Sequence, residues 1–256
     1  MTHFGGLKPD TLIQLTNWIA IPIIWAYVIS MFALPWFNGN FDWMYVQNIW
    51  KSWQSLNVGM LAFTSSIIAL NISKYNANKQ RDREFVAAKA FLPEALSELI
   101  VYFKSCSRLL VEAWPRVQSE GNLLKTPLEN VPPDTPTYYK EIFSNCIKYA
   151  EHDVGDRLAF ILMRLQIQRA RIKSFSEMFA PDSEMIPTLG NALSYFYDLA
   201  LLQALVSKLY PFARGMDKFD SSLPTYDKIV NAYQNFDMHP EDYEGLLEDA
   251  RRRNDT

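Results

Sequence analysis

The sequence predicts an all-α membrane protein, with a two-helix N-terminal transmembrane hairpin followed by a cytoplasmic helical bundle. Three observations carry this expectation. Two stretches near the start, residues 12–34 and 52–72, hold no charged residue. An aromatic connection with little charge lies between them, and a run of cations follows the second. Beyond residue 73 the apolar residues recur at helical spacing and strand signals are few.

The first stretch reads LIQLTNWIAIPIIWAYVISMFAL from Leu12 to Leu34. As a helix it reaches roughly 35 Å, just over the ~30 Å hydrocarbon core of a bilayer. Its apolar run exceeds the roughly 7–15 residues of a signal-peptide core, and no small-x-small cleavage pattern follows, so a cleaved leader is not expected. Pro22 removes one backbone donor and should bend this helix. The second stretch, Ser52 to Ile72, is less apolar, with Asn57 and the run Thr64, Ser65, Ser66. With Asn17 these residues put polar atoms at membrane depth. In a homo-oligomer such atoms would line a wet pore. In a lone hairpin they would bond to backbone or across to the neighbouring helix.

The connection PWFNGNFDWMYVQNIWK is rich in Trp, Phe and Tyr, which collect where lipid meets water. It carries only Asp42 and Lys51 as charges. After the second helix come Lys74, Lys79, Arg81 and Arg83, then Lys89. The positive-inside rule therefore places residue 73 onward in the cytoplasm. It places the N-terminus, with Lys8, on the same side and the connection outside. The same juxtamembrane cations suit anionic lipid headgroups.

The remainder reads as helices. An amphipathic continuation covers Tyr75–Phe91, and Pro93 permits a fresh start. Glu94–Gln118 follows, with a stripe of Leu96, Leu99, Ile100, Phe103, Leu110 and Val111. Residues 119–137 hold Gly121, Pro127, Pro132, Pro133 and Pro136 and form a loop. A helix at Tyr138–Ala150 comes next, then one from Val154 to Phe179 capped by Asp153. Pro187 suits the first turn of a helix running to Tyr210, which is apolar on nearly all sides and so belongs inside a bundle. A short helix near Thr225–Asn235 and a frayed, charged tail from Glu241 complete the chain. The expected organisation is thus a hairpin at 1–73, a juxtamembrane extension at 74–118, a loop at 119–137, and a bundle at 138–256 completed by 94–118.

Chemical signatures are sparse. A net charge of −3 argues against direct nucleic-acid binding, which needs a basic face. The nine glycines form no phosphate loop, and neither a nucleophile elbow nor a CxxC pair occurs. His152-Asp153 matches the pair found in metal phosphohydrolases, but further ligands for one metal are not in evidence, so a helix cap is the better reading. Glu94, Glu98 and Glu112 share a helix, and a solvated face explains them better than acid–base work. Arg157, Arg164, Arg169, Arg171 and Lys173 make one helix basic, which fits a salt-bridged face. Cys106 and Cys146 read as two buried thiols in a reducing compartment. No enzyme activity, metal or cofactor is expected.

The stretch IIALNISKYNANKQRDREFVAAKAFLPEALSEL, ending at Leu99, resembles a junction found in small two-helix membrane proteins of bacterial defence loci. The layout of hairpin, basic junction and helical domain resembles the membrane effectors, regarded as toxins, of retron antiphage systems. That resemblance covers layout only and transfers no functional residue. It implies an inner-membrane effector that compromises the membrane when triggered. It also implies, as partners, the lipid bilayer and the reverse transcriptase–non-coding RNA complex of the same locus. The alternative from the residues alone is a membrane-anchored helical scaffold or sensor that docks a cytosolic partner.

Overall fold

The computed structural model describes residues 9–119 and 126–254, and every regular element among them is helical. Lys8, His3 and Gly121 lie outside the described residues. The chain divides into two compact units, Met1–Gln80 and Arg81–Thr256.

The first unit opens with α1 (Pro9–Val28), a π-helical turn (Ile29–Ala33) and α2 (Leu34–Asn38). This helical run goes past the expected end at Leu34. Pro22 sits inside α1 without ending it. The π turn has an identifiable cause. Pro35 has no N–H to offer the Met31 carbonyl four residues back, so the helical ladder is interrupted there. The indole of Trp50 donates to that carbonyl instead, at 2.8 Å. α2 stops at Gly39, where a β-carbon would lie 2.9 Å from the Pro35 carbonyl and 2.4 Å from the Tyr45 ring. Asn40 and Phe41 then take left-handed backbone angles. The aromatic connection is itself largely helix. Its α3 (Trp43–Ser52) is capped by Asp42, whose carboxylate accepts the Met44 N–H at 3.0 Å. α4 (Gln54–Ala90) is one unbroken helix of 37 residues, joining the charge-free stretch at 52–72 to its expected continuation at Tyr75–Phe91, and none of its residues is buried. The runs Gln14–Asn38 and α4 are both long and apolar enough to cross a membrane.

The second unit holds the remaining helices: α5 (Leu92–Gln118), α6 (Tyr139–Tyr149), α7 (His152–Glu177), α8 (Leu189–Ala213), α9 (Tyr226–Gln234) and α10 (Leu246–Asn254). α8 packs against α5, α7, α9 and α10. Its residues 196–206 are buried without interruption, as the all-round apolar pattern requires. Leu96, Leu99, Phe103 and Leu110 of the α5 stripe are fully buried against it, each contributing roughly 1.5–3 kcal/mol of hydrophobic stabilisation. Cys106 and Cys146 are free and buried. Burial pushes their thiols up to about 12 and about 11, so both stay protonated.

Three local expectations are corrected. α7 begins at His152, with Glu151 at the cap position and Asp153 in the first turn, where its charge favours the helix dipole. α8 begins after Thr188, whose hydroxyl accepts the Asn191 N–H at 3.2 Å, so Pro187 lies just outside it. The tail beyond Glu241 is not frayed. Residues 240–242 form a 3₁₀ turn, and α10 buries Leu246, Asp249 and Ala250. Asp249 is satisfied by Arg252 and Arg253 of its own helix, the latter at 2.6 Å, which lets a charged sequence pack.

Candidate functional site

In the first unit one face of each long helix is covered. On the α1 run the covered positions from 17 to 31 are Asn17, Ala20, Ile24, Tyr27 and Met31. On α4 from 54 to 74 they are Asn57, Met60, Thr64, Ile67, Asn71 and Lys74. Both sets step by three and four residues, the spacing of knobs-into-holes packing. Every position between them is exposed.

The seam is unusually polar for an apolar unit. Asn17 and Asn71 exchange two amide hydrogen bonds, at 2.8 and 2.9 Å. The Tyr27 hydroxyl donates to Asn57 Oδ1 at 2.7 Å, and Asn57 Nδ2 donates to the Trp50 carbonyl at 3.2 Å. Rising numbers on α1 meet falling numbers on α4: 17 with 71, 27 with 57. Thr64 Oγ1 donates back to the Met60 carbonyl at 2.8 Å. In a medium without water such interhelical bonds contribute about 0.5–2 kcal/mol each.

The sequence-derived candidates therefore separate. Asn17, Asn57 and Thr64 are brought to the seam. Pro22, Ser65 and Ser66 are exposed, away from it, and Ser66 donates to its own helix at the Ala62 carbonyl. Ser66 belongs to a second stripe, on the opposite side of α4: Ser55, Gly59, Ala62, Ser66, Ala69 and Ser73, all exposed. A β-carbon on Gly59 would meet open space. Of the basic residues on α4, Lys74 closes the seam, Lys79 stacks over Tyr75, and Arg81 and Arg83 are exposed. Asn71, Tyr27 and Trp50 were missed as site residues. The legible signal was spacing, since Asn71 lies two heptads after Asn57.

The connection carries a continuous chain of ring contacts. Phe32 meets both Tyr27 and Trp50, Trp43 meets Trp50 and Trp36, and Phe41 meets Trp36 and Phe37. These residues gather at one end of the seam.

In the second unit the candidate charges have structural work. Arg164 and Arg171 of α7 both bind the buried Asp198 of α8, Arg164 at 3.1 Å. Arg157 donates to the Ser221 carbonyl. Glu112 is not a solvated residue. It accepts from the Glu129 and Asn130 N–H groups at 2.7 and 2.8 Å and from Arg116 at 2.5 Å, pinning the loop to α5. Partial burial opposes its ionisation, but those donors outweigh it and hold its pKa below the ordinary value. Glu94 and Glu98 stand beside Glu141 around a small cavity. His152 is exposed, 3.4 Å from Asp156. Among the described residues no group of three or more His, Cys, Asp or Glu is placed to hold a metal ion.

Fold and site together define an all-helical protein with two helices apolar enough to cross a membrane. No family model, curated protein or solved structure matches the chain.

Proposed function

We propose that the chain is a two-pass protein of a bacterial inner membrane, with both termini cytoplasmic, acting as an antiphage effector that breaches the membrane when triggered. The observation that carries the membrane reading is the inversion of burial in the first unit. Trp18 is 82% exposed, Trp25 62% and Leu61 67%, while the covered face sets Asn17, Tyr27, Asn57, Thr64 and Asn71 among its apolar residues. Water would not tolerate that surface, whereas lipid would solvate it and reward internal pairing of the polar groups. The aromatic connection fits the outer interface, and Lys74, Lys79, Arg81 and Arg83 fit the cytoplasmic side. The effector reading is supported by the polar seam, since opening it would release amides and hydroxyls into the bilayer. The small-residue stripe on the back of α4 offers close approach to a further copy.

The scaffold reading is favoured by a different observation: Asn17, Asn57 and Asn71 are already paired within one chain. A membrane hairpin so closed also serves as a plain anchor.

Topology is tested with an impermeant maleimide on intact spheroplasts. A cysteine at Asn48 should label and one at Arg214 should not; the reverse pattern, or labelling of neither in permeabilised cells, refutes the assignment. Effector action is tested by controlled expression while membrane potential and dye entry are followed. Depolarisation that disappears when residues 12–34 become a Leu/Ala helix supports the effector. An intact potential, with and without phage challenge beside the native neighbouring genes, supports the anchor.

A further inference from the structure

A cavity of about 570 Å³ opens in the second unit between α8, α9 and the segment joining them. That volume lies within the range of small-molecule sites. Its apolar lining is Ala204, Pro211, Phe212, Leu223, Pro224 and Ala232. Its charged lining divides into two groups. Lys208 is committed to the protein: it binds Asp220 at 2.8 Å, the Ser222 carbonyl at 2.8 Å, and the Ser222 hydroxyl. Asp220 is in turn held by the Ser222 N–H at 2.9 Å, so this pair is neutral within the wall. Lys218 and Lys228 also line the cavity, against Asp217 alone. The uncommitted lining is thus net cationic in a chain whose overall charge is negative. Thr225, the cap residue of α9, lines it as well, and its side chain does not cap the helix. Asp227 in the first turn of α9 answers the positive end of that helix, so the cationic character of the lining rests on the two lysines.

We propose that this cavity is a binding site for a small organic anion with an apolar body, its acidic group held by Lys218 and Lys228. The occupant rests on Phe212, and this residue carries the consequence. The Phe212 ring also takes the Lys89 ammonium, 3.9 Å from its centroid, and the ring of Phe85 at 6.4 Å. Phe85 and Lys89 belong to α4, the unbroken helix whose earlier residues form the polar seam. Pro211, beside Phe212 and inside α8, leaves this part of α8 without one ladder hydrogen bond and so easier to bend. Filling the cavity thus bears on the last turns of α4. Binding itself does not depend on whether the apolar helices breach a membrane.

The test uses the full chain in lipid nanodiscs, with empty nanodiscs as the reference, and 2-naphthoate as probe. Naphthoate should bind saturably, and its neutral amide at least tenfold more weakly. Lys218→Gln with Lys228→Gln should weaken naphthoate at least tenfold while leaving the amide unchanged. Asn231→Trp, an exposed lining position, should block both by filling the mouth. Hydrogen exchange should slow at residues 81–90 as well as at the cavity walls when naphthoate is bound. Equal binding of acid and amide, or full affinity in the double lysine variant, overturns the anion site. Protection confined to the walls overturns the link to α4.

Discussion

Asn17 and Asn71 illustrate how a single residue pair sets register in an apolar unit. Each amide donates once to the other, so the exchange forms in only one alignment of the helices. A slip of one residue would break this exchange, at a cost of several kcal/mol for an amide in a medium with no alternative partner, and less where other helix groups substitute. Asn71 has a fallback, because its Nδ2 also donates to the Ile67 carbonyl at 2.8 Å. Asn71→Leu, which removes the partner of Asn17, should therefore cost more than Asn17→Leu, which leaves Asn71 bonded to Ile67. In a double-mutant cycle the two should couple by about 0.5–2 kcal/mol. The measurement is thermal or steric-trap unfolding in detergent, and additive single effects would show that the pair does not set register.

At the scale of elements, the parts legible in the sequence were those governed by periodicity. The long charge-free stretches, the α5 stripe and the apolar α8 all stand where their patterns placed them, because burial of a continuous face leaves a repeating mark. What the sequence hid was settled by local bonds with no period. The connection became α3 through one Asp42 cap, and the tail became α10 because Asp249 could gather two arginines from its own helix. The polar seam was half legible: Asn57 and Thr64 stood out by type, while Tyr27 and Asn71 were visible only as heptad positions. The segment between α8 and α9 shows another non-periodic device, the Lys208–Asp220–Ser222 knot. Its hydrogen bonds to Lys208 and Ser222 lower the Asp220 pKa from 3.8 to about 2. A carboxylate with a depressed folded pKa stabilises its segment above the unfolded pKa and loses that effect as pH falls through the folded one. The segment should therefore stay closed above about pH 4 and loosen between about pH 4 and pH 2. Pepsin cleavage near Phe219, compared with Asp220→Asn as a pH-insensitive reference, should rise across that window. Parallel profiles for the two proteins would mean that the knot does not hold the segment.

For the whole molecule, the distribution of burial makes the two units physically unlike. The buried core runs from Leu92 to Ala250 and gathers Phe85 and Ala88 around it, all within Arg81–Thr256. Among the described residues of the first unit, the buried apolar ones are Ala20, Met31, Pro35 and Val46. A unit of 176 residues with its own continuous core is large enough to fold alone. Residues 81–256, expressed without the apolar helices, should be soluble without detergent, helical by circular dichroism, and should unfold in one cooperative transition. Residues 1–80 should require detergent or lipid to stay dispersed, because their exposed Trp, Ile and Leu side chains have no protein to cover them. Solubility of that fragment in plain buffer as a monomer would contradict the membrane assignment at its root. A fragment 81–256 that aggregates or melts without cooperativity would show instead that the bundle depends on the helices before it. In that case the two units would have to be treated as one folding system, with α4 as a shared structural element.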